Sequence, residues 1–403
     1  MNSYFGLLFC FLSALLSAQE SNLSVQIAQS PGMLIKHTRK MNFNPTGLSQ
    51  FTELNLTFHT KGKRAWESYY HLPRLGLGLR YLDLGKPSEI LGTGYAFFPF
   101  IDFGFFQKQQ SSFRFMIGCG LAYLNQTYQI KGNPSQTAIG SHWNNLTTFQ
   151  FKYEHSLYKT HFLSAGVTLS HISNGSFKAP NLGLNFVSVT FGYAYHFKSS
   201  ELSFSSDSSA KSAFLSAFPF DSSASSAFPS AFPSALSWML EYGMTLKEGK
   251  IPGGPKFLIQ WYMLDFGYQY NEYKSWRFGV ELENNQLDAY SASYSEIREN
   301  KKAAAPEGRR YNFYLAHQWL FGDVGLTFRT GYELKSIHSN TYPIATKLDL
   351  CYIMPFQLMT SVRPYIGFSL KAHLDTAEYI GAMAGFHFYK MKSVATESIS
   401  FTK

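Results

Sequence analysis

The chain has 403 residues, is 17% aromatic and only 15% charged, and carries a formal net charge of +9 with a mean hydropathy of −0.15. This aromatic-rich, charge-poor balance, with no long stretch of 3.6-residue periodicity, argues against a helical globular protein and for strands with one apolar face. Beyond the first twenty residues no run reaches the roughly 18 consecutive apolar residues of a spanning helix, so a membrane location would have to be reached by strands.

Residues 1–18 read as a secretory signal peptide. Phe5, Leu7, Leu8, Phe9, Phe11 and Leu12 form an uncharged apolar run, Leu15 and Leu16 extend it, and Leu16-Ser17-Ala18 ends it on small residues. Cys10 leaves with that leader. Cys119 and Cys351 remain, which is no disulfide framework; they read as two buried or lipid-facing thiols, with pairing left open. Export removes nucleic acid from the expected partners, and the positive balance suits anionic head groups or phosphates.

Residues 19–197 divide into eight strands, near Ser24–Ile35, Phe51–Thr60, Leu75–Leu84, Tyr95–Phe105, Phe113–Leu124, Thr147–His155, His161–Ser173 and Leu184–Phe197. Each has about the ten residues that a tilted strand needs to cross hydrocarbon. Long polar links follow the first, third, fifth and seventh strands, and short ones follow the fourth and sixth, as expected of outer loops and periplasmic turns. The long segment Lys61–Pro73 breaks that alternation. Residues 198–237 form a low-complexity linker built on Ser-Ala-Phe-Pro, at Ser216–Pro219, Ser226–Pro229 and Ser230–Pro233.

A second block, 238–389, again divides into about eight strands, near Trp238–Leu246, Phe257–Tyr270, Trp276–Glu283, Tyr311–Phe321, Val324–Leu334, Ile344–Phe356, Pro364–Leu374 and Tyr379–Tyr389. Gly322-Asp323 reads as a two-residue hairpin turn, and Asn284–Arg310 as one long polar loop. A polar tail, 390–403, follows. The fold class is thus an all-β, antiparallel transmembrane barrel, either two eight-stranded barrels or one of about 16 strands. Closure depends on pairing between distant strands, so both remain open; the linker's place after eight strands favours two modules.

The seventh strand is the most informative. Leu163, Ala165, Val167 and Leu169 share one face with His171 and Ser173, opposite Ser164, Gly166, Thr168 and Ser170. The apolar face must meet lipid, so His171 and Ser173 continue the outside wall at the strand's outer end. On the eighth strand, Asn185 begins an outer face of Val187, Val189, Phe191, Tyr193 and Tyr195. The hairpin therefore brings His171, Ser173 and Asn185 together on the outer wall. Polar groups placed there cost free energy unless they have a use or reach the interface.

The run His171-Ile172-Ser173-Asn174-Gly175-Ser176-Phe177-Lys178-Ala179-Pro180-Asn181-Leu182-Gly183-Leu184-Asn185, closed by Tyr195-His196-Phe197, resembles the signature of the PagL-type lipid A 3-O-deacylases over about residues 20–197. The resemblance implies an eight-stranded barrel in the cell outer membrane of a Gram-negative bacterium, cutting the ester-linked acyl chain at the 3-position of lipid A. It implies Ser173 as nucleophile, His171 as its base, and Asn181 at an oxyanion site with Asn174 in support. The implied partner is the lipopolysaccharide of the outer leaflet, with no cofactor. Here the family's third member, a glutamate, is replaced by Asn185. An amide oxygen still accepts a hydrogen bond from His171 but brings no negative charge; in serine proteases, losing the carboxylate lowers turnover by about 10⁴. That leaves three outcomes open, a slower enzyme, one that recruits another carboxylate, or lost activity; Glu154 on the sixth strand is near in sequence order, but no geometric case supports it.

The alternative is a non-catalytic barrel, either a porin-like channel or a pseudoenzyme that binds lipopolysaccharide. His373 and Asp375, at the corresponding end of the second block, alternate with Tyr365, Ser369 and Lys371 and so read as inward-facing and structural. Lys36, His37, Arg39 and Lys40 form a basic cluster in the first outer loop, read as solvated by default. No metal-ligand spacing, phosphate-binding loop or dinucleotide fingerprint is present.

Overall fold

A computed structural model describes residues 22–108, 110–197, 235–249, 251–299, 308–334, 343–359, 361–373 and 376–389. The expected leader 1–18, most of the expected linker, the tail 390–403 and Asp375 lie outside them. Sixteen strands form two separately closed antiparallel barrels, which decides between the two architectures left open above.

The first barrel comprises β1 (Leu23–Ile35), β2 (Ser49–His59), β3 (Arg74–Asp83), β4 (Thr93–Phe105), β5 (Ser111–Leu124), β6 (Trp143–Tyr158), β7 (His161–Ser173) and β8 (Leu184–His196). It closes where β8 pairs with β1, from Ser24 opposite His196 to Ile35 opposite Asn185. The over-long link after β2 contains a short helix, α1 (Ala65–Tyr69), and the β3–β4 loop another, α2 (Ser88–Leu91).

The period of two sorts its side chains. On β7, Leu163, Val167 and Leu169 are exposed, whereas Ser164, Thr168 and Ser170 are buried. A one-residue slip would turn every apolar group inward, so the pattern also sets the register. The lumen is filled in layers. At the end carrying the long loops, an apolar plug gathers Met41 and Phe43 from the β1–β2 loop, Ile139 from the β5–β6 loop, and Ile172 and Leu184 from the strands. Below it Arg80, buried, donates to Glu53 at 2.6 Å, to Ser170 at 2.9 Å and to Thr148 at 3.3 Å. At the far end Arg74 makes a two-pronged pair with Glu154.

The second barrel comprises β9 (Ala235–Glu248), β10 (Lys256–Asn271), β11 (Lys274–Asn285), β12 (Arg309–Phe321), β13 (Val324–Leu334), β14 (Ile344–Ile353), β15 (Val362–His373) and β16 (Thr376–Tyr389). Gly322, at φ 67°, turns β12 into β13 as the two-residue hairpin reading required. Two expectations need correction. The supposed linker end, 235–237, is already strand. The supposed loop Asn284–Arg310 contains a helix, α3 (Gln286–Glu299), whose first turn is capped by Asn285 Oδ1 accepting from the backbone N–H of Leu287 and Asp288. The lumen is charged: Arg277 and Arg329 both donate to Asp265, and Lys371 to Glu283 and Glu333 at 2.7 and 2.6 Å. His373 points inward, 2.9 Å from Glu378, as alternation placed it.

Buried charges of this kind punish the loss of one partner far more than they reward the pair. The Arg80→Met substitution leaves Glu53 buried without its cation and is expected to lower unfolding free energy by about 3–5 kcal/mol, read as a shifted urea midpoint of the refolded protein in detergent. An unchanged midpoint would contradict this account of the lumen.

Candidate functional site

Ile172 and Leu184 point into the apolar plug and are fully buried. They act as pegs that hold the outer ends of β7 and β8, and alternation then forces their neighbours outward. His171 lies directly opposite Asn185, and Ser173 stands two residues farther along the same face. Opposed side chains in an antiparallel pair have Cβ atoms about 5 Å apart, a gap that an imidazole spans. His171 Nδ1 lies 2.6 Å from Asn185 Oδ1 and its Nε2 2.9 Å from Ser173 Oγ. The three residues expected to converge do so, on the wall rather than in the lumen. Ser173 is buried, 3% exposed, and His171 and Asn185 are half-buried.

The β7–β8 loop folds back over this trio. Gly183, at φ +77°, passes so close that a Cβ there would sit 2.7 Å from His171 Cε1, so both backbone and space demand glycine. Its N–H donates to Ala138 O at 3.0 Å, tying the loop to the β5–β6 loop. Asn174 contributes through its main chain: its N–H donates to Asn181 Oδ1 at 2.9 Å. The Asn174 side-chain NH₂ is already committed to Ser141 Oγ and Lys178 O, each at 2.9 Å. Asn181 Nδ2 has no hydrogen-bond partner among the described residues, and its amide sits beside the peptide that follows Ser173.

The polar strip continues sideways. Asn145, opposite Ser173, and Thr147, opposite His171, lie on β6. Thr147 Oγ1 donates to Asn145 Oδ1 at 2.9 Å, and Asn145 Nδ2 to Cys119 Sγ at 3.2 Å. On the other side His37 Nδ1 lies 3.1 Å from Asn185 Nδ2. Sequence reasoning missed Asn145, Thr147 and the link from His37 to Asn185; Gly183 was read as part of the signature run, without its contact to His171. No carboxylate among the described residues bonds to His171. Glu154, on β6, pairs with Ser164 rather than with His171 and faces the lumen on Arg74. Seven residues of strand, about 23 Å, separate it from the site.

Residues 50–194 match the family described as lipid A 3-O-deacylase (PagL). The N-terminal barrel is PagL-like. The match runs from β2 into β8 and includes His171, Ser173, Asn174, Asn181 and Asn185, whereas β1 and His37 fall outside it. Among solved structures, the chain is similar to the outer membrane enzyme PagL, at 16% identity over 41% of this chain and 97% of that one, with a TM-score of 0.30. It is also similar to Neisserial surface protein A, at 10% identity over 44% and 98%, with a TM-score of 0.31. A third likeness is to Acinetobacter baumannii OccAB4, at 8% identity over 92% and 99%, with a TM-score of 0.25. No curated protein matches the chain. With two closed barrels, apolar outside walls and a PagL-like first barrel, the chain is an outer-membrane protein.

Among the described residues neither cysteine is in a disulfide: Cys119 is exposed on the first barrel's outer wall, and Cys351 is buried inside the second. A maleimide that partitions into lipid is therefore expected to label Cys119 and spare Cys351 in membranes, read by peptide mass spectrometry. Labelling of Cys351 alone would reverse the face assignments.

Proposed function

We propose that the first barrel hydrolyses an ester-linked acyl chain of lipid A, with Ser173 as nucleophile and His171 as general base. The observation that carries this reading is the ordered contact of Ser173 Oγ, His171 Nε2, His171 Nδ1 and Asn185 Oδ1 on the lipid side of the wall. A serine hydroxyl is a weak nucleophile until a base within hydrogen-bond reach takes its proton, and the 2.9 Å contact provides that reach. Placement at the loop-bearing end sets the pair at head-group level, where an acyl ester of an outer-leaflet lipid lies.

In this reaction Ser173 Oγ attacks the ester carbonyl while its proton passes to His171 Nε2. The developing oxyanion meets the uncommitted Asn181 Nδ2, held in place by the Asn174 main chain. A fixed donor of this kind in a water-poor site is worth far more than in bulk water. The tetrahedral species collapses by breaking the carbonyl carbon–oxygen bond to the sugar, whose oxygen takes the proton from His171. Water, deprotonated in turn by His171, then cleaves the acyl-serine and releases a free fatty acid. Asn185 accepts from His171 Nδ1–H and so keeps Nε2 bare, but it adds no charge to stabilise the imidazolium, and turnover is slow for that reason.

A second reading, a barrel that binds lipopolysaccharide without cleaving it, is favoured by the same asparagine. Mass spectrometry of lipid A from cells expressing the chain separates the two. Loss of one hydroxyacyl chain with the wild type, abolished by Ser173→Ala, supports the hydrolase; intact lipid A in both supports the binding barrel. Within the hydrolase reading, Asn185→Glu is expected to raise kcat, by at most about 10⁴, with KM little changed; a fall in kcat would contradict the role assigned to that position.

A further inference from the structure

We propose that His37 is a positioning residue that makes Asn185 act as a fixed acceptor toward His171, in place of a carboxylate. The catalytic consequence rests on the hydrolase reading above, whereas the geometry does not.

The donors and acceptors leave one arrangement. His37 Nε2 lies 3.1 Å from Leu182 O, and a carbonyl only accepts, so this nitrogen carries the hydrogen. In the neutral ring Nδ1 then has only a lone pair. It faces Asn185 Nδ2 at 3.1 Å and accepts from it. Asn185 is thereby held with Oδ1 toward His171 Nδ1, at 2.6 Å, where it accepts. The His171 proton is pinned on Nδ1, and the bare Nε2 faces Ser173 Oγ.

The need for such a device follows from the amide itself. A carboxylate presents an acceptor whichever way it turns, whereas an asparagine turned over presents NH₂ to His171 Nδ1. That orientation moves the ring proton to Nε2, where it blocks deprotonation of Ser173. His37 removes the wrong orientation by supplying an acceptor that only the NH₂ group satisfies. Its loop is anchored for the purpose: Lys36 Nζ donates to Asn44 Oδ1 at 2.7 Å, and the Asn42 N–H donates to Thr137 Oγ1 at 3.1 Å.

The test reads the ring proton directly. In the full chain labelled with ¹⁵N-histidine, in detergent micelles, the His171 ring nitrogens are expected to report the Nδ1–H tautomer. The His37→Phe variant is expected to shift them to a mixture with Nε2–H, and His37→Gln, which again offers one acceptor and one donor, to restore the wild-type pattern. One unchanged tautomer in all three proteins would overturn the proposal, whether or not the chain is an enzyme. In the activity arm, His37→Phe is expected to slow deacylation about tenfold beside Asn185, the worth of one neutral hydrogen bond, and hardly at all beside Asn185→Glu. Equal slowing in both backgrounds would overturn the positioning role. Absence of Ser173-dependent deacylation in the wild type would instead sink the hydrolase reading, leaving the tautomer result to decide the role of His37.

Discussion

A strand offers each side chain two destinations, and in a closed eight-stranded barrel these are hydrocarbon and a packed lumen. Everything distinctive about the first barrel follows from where β7 and β8 spend that choice. Ile172 and Leu184 occupy the lumen as apolar pegs, so His171, Ser173 and Asn185 have only the outer wall left. A polar trio on a lipid-facing surface costs free energy, and each member reduces the cost by bonding to another. The arrangement of the trio is thus a by-product of the same packing that holds the barrel together.

The loops complete what the strands begin. Gly183 lies against the imidazole, Asn174 steadies Asn181 through a backbone N–H, and the β5–β6 loop holds the β7–β8 loop through Ala138 and Ser141. The site is therefore a rigid edge supported by the apolar plug beneath it, and functional constellations gain most from such support. The second barrel has no matching arrangement among its described residues at the corresponding end. Its His373 is drawn inward into a buried charge network with Glu378.

Strand positions were legible because alternation is a local signal: β7 and β13 run as read, and most other ends move by only a few residues. The convergence of His171, Ser173 and Asn185 was legible for the same reason, since a hairpin's register follows from its faces. Closure was not, because the pairs Ile35–Asn185 and Met383–Gly243 join residues remote in sequence. The helix α3 was missed because its residues are mostly polar and form no apolar stripe, although Asn285 immediately before it is a capping signal. The part played by His37 was invisible for a different reason. It depends on a contact across 148 positions, and in the sequence the residue is one of a basic cluster.

The central claim is that a base-activated serine emerges on the lipid side of the wall. A fluorophosphonate carrying a long alkyl tail, dissolved in the bilayer around the refolded protein, tests this directly, because attack by an activated hydroxyl displaces fluoride and leaves a stable adduct. Peptide mass spectrometry is expected to find that adduct on Ser173, and to lose it when His171 is replaced by glutamine. An unmodified Ser173 in protein whose barrel is shown to be folded would contradict the account.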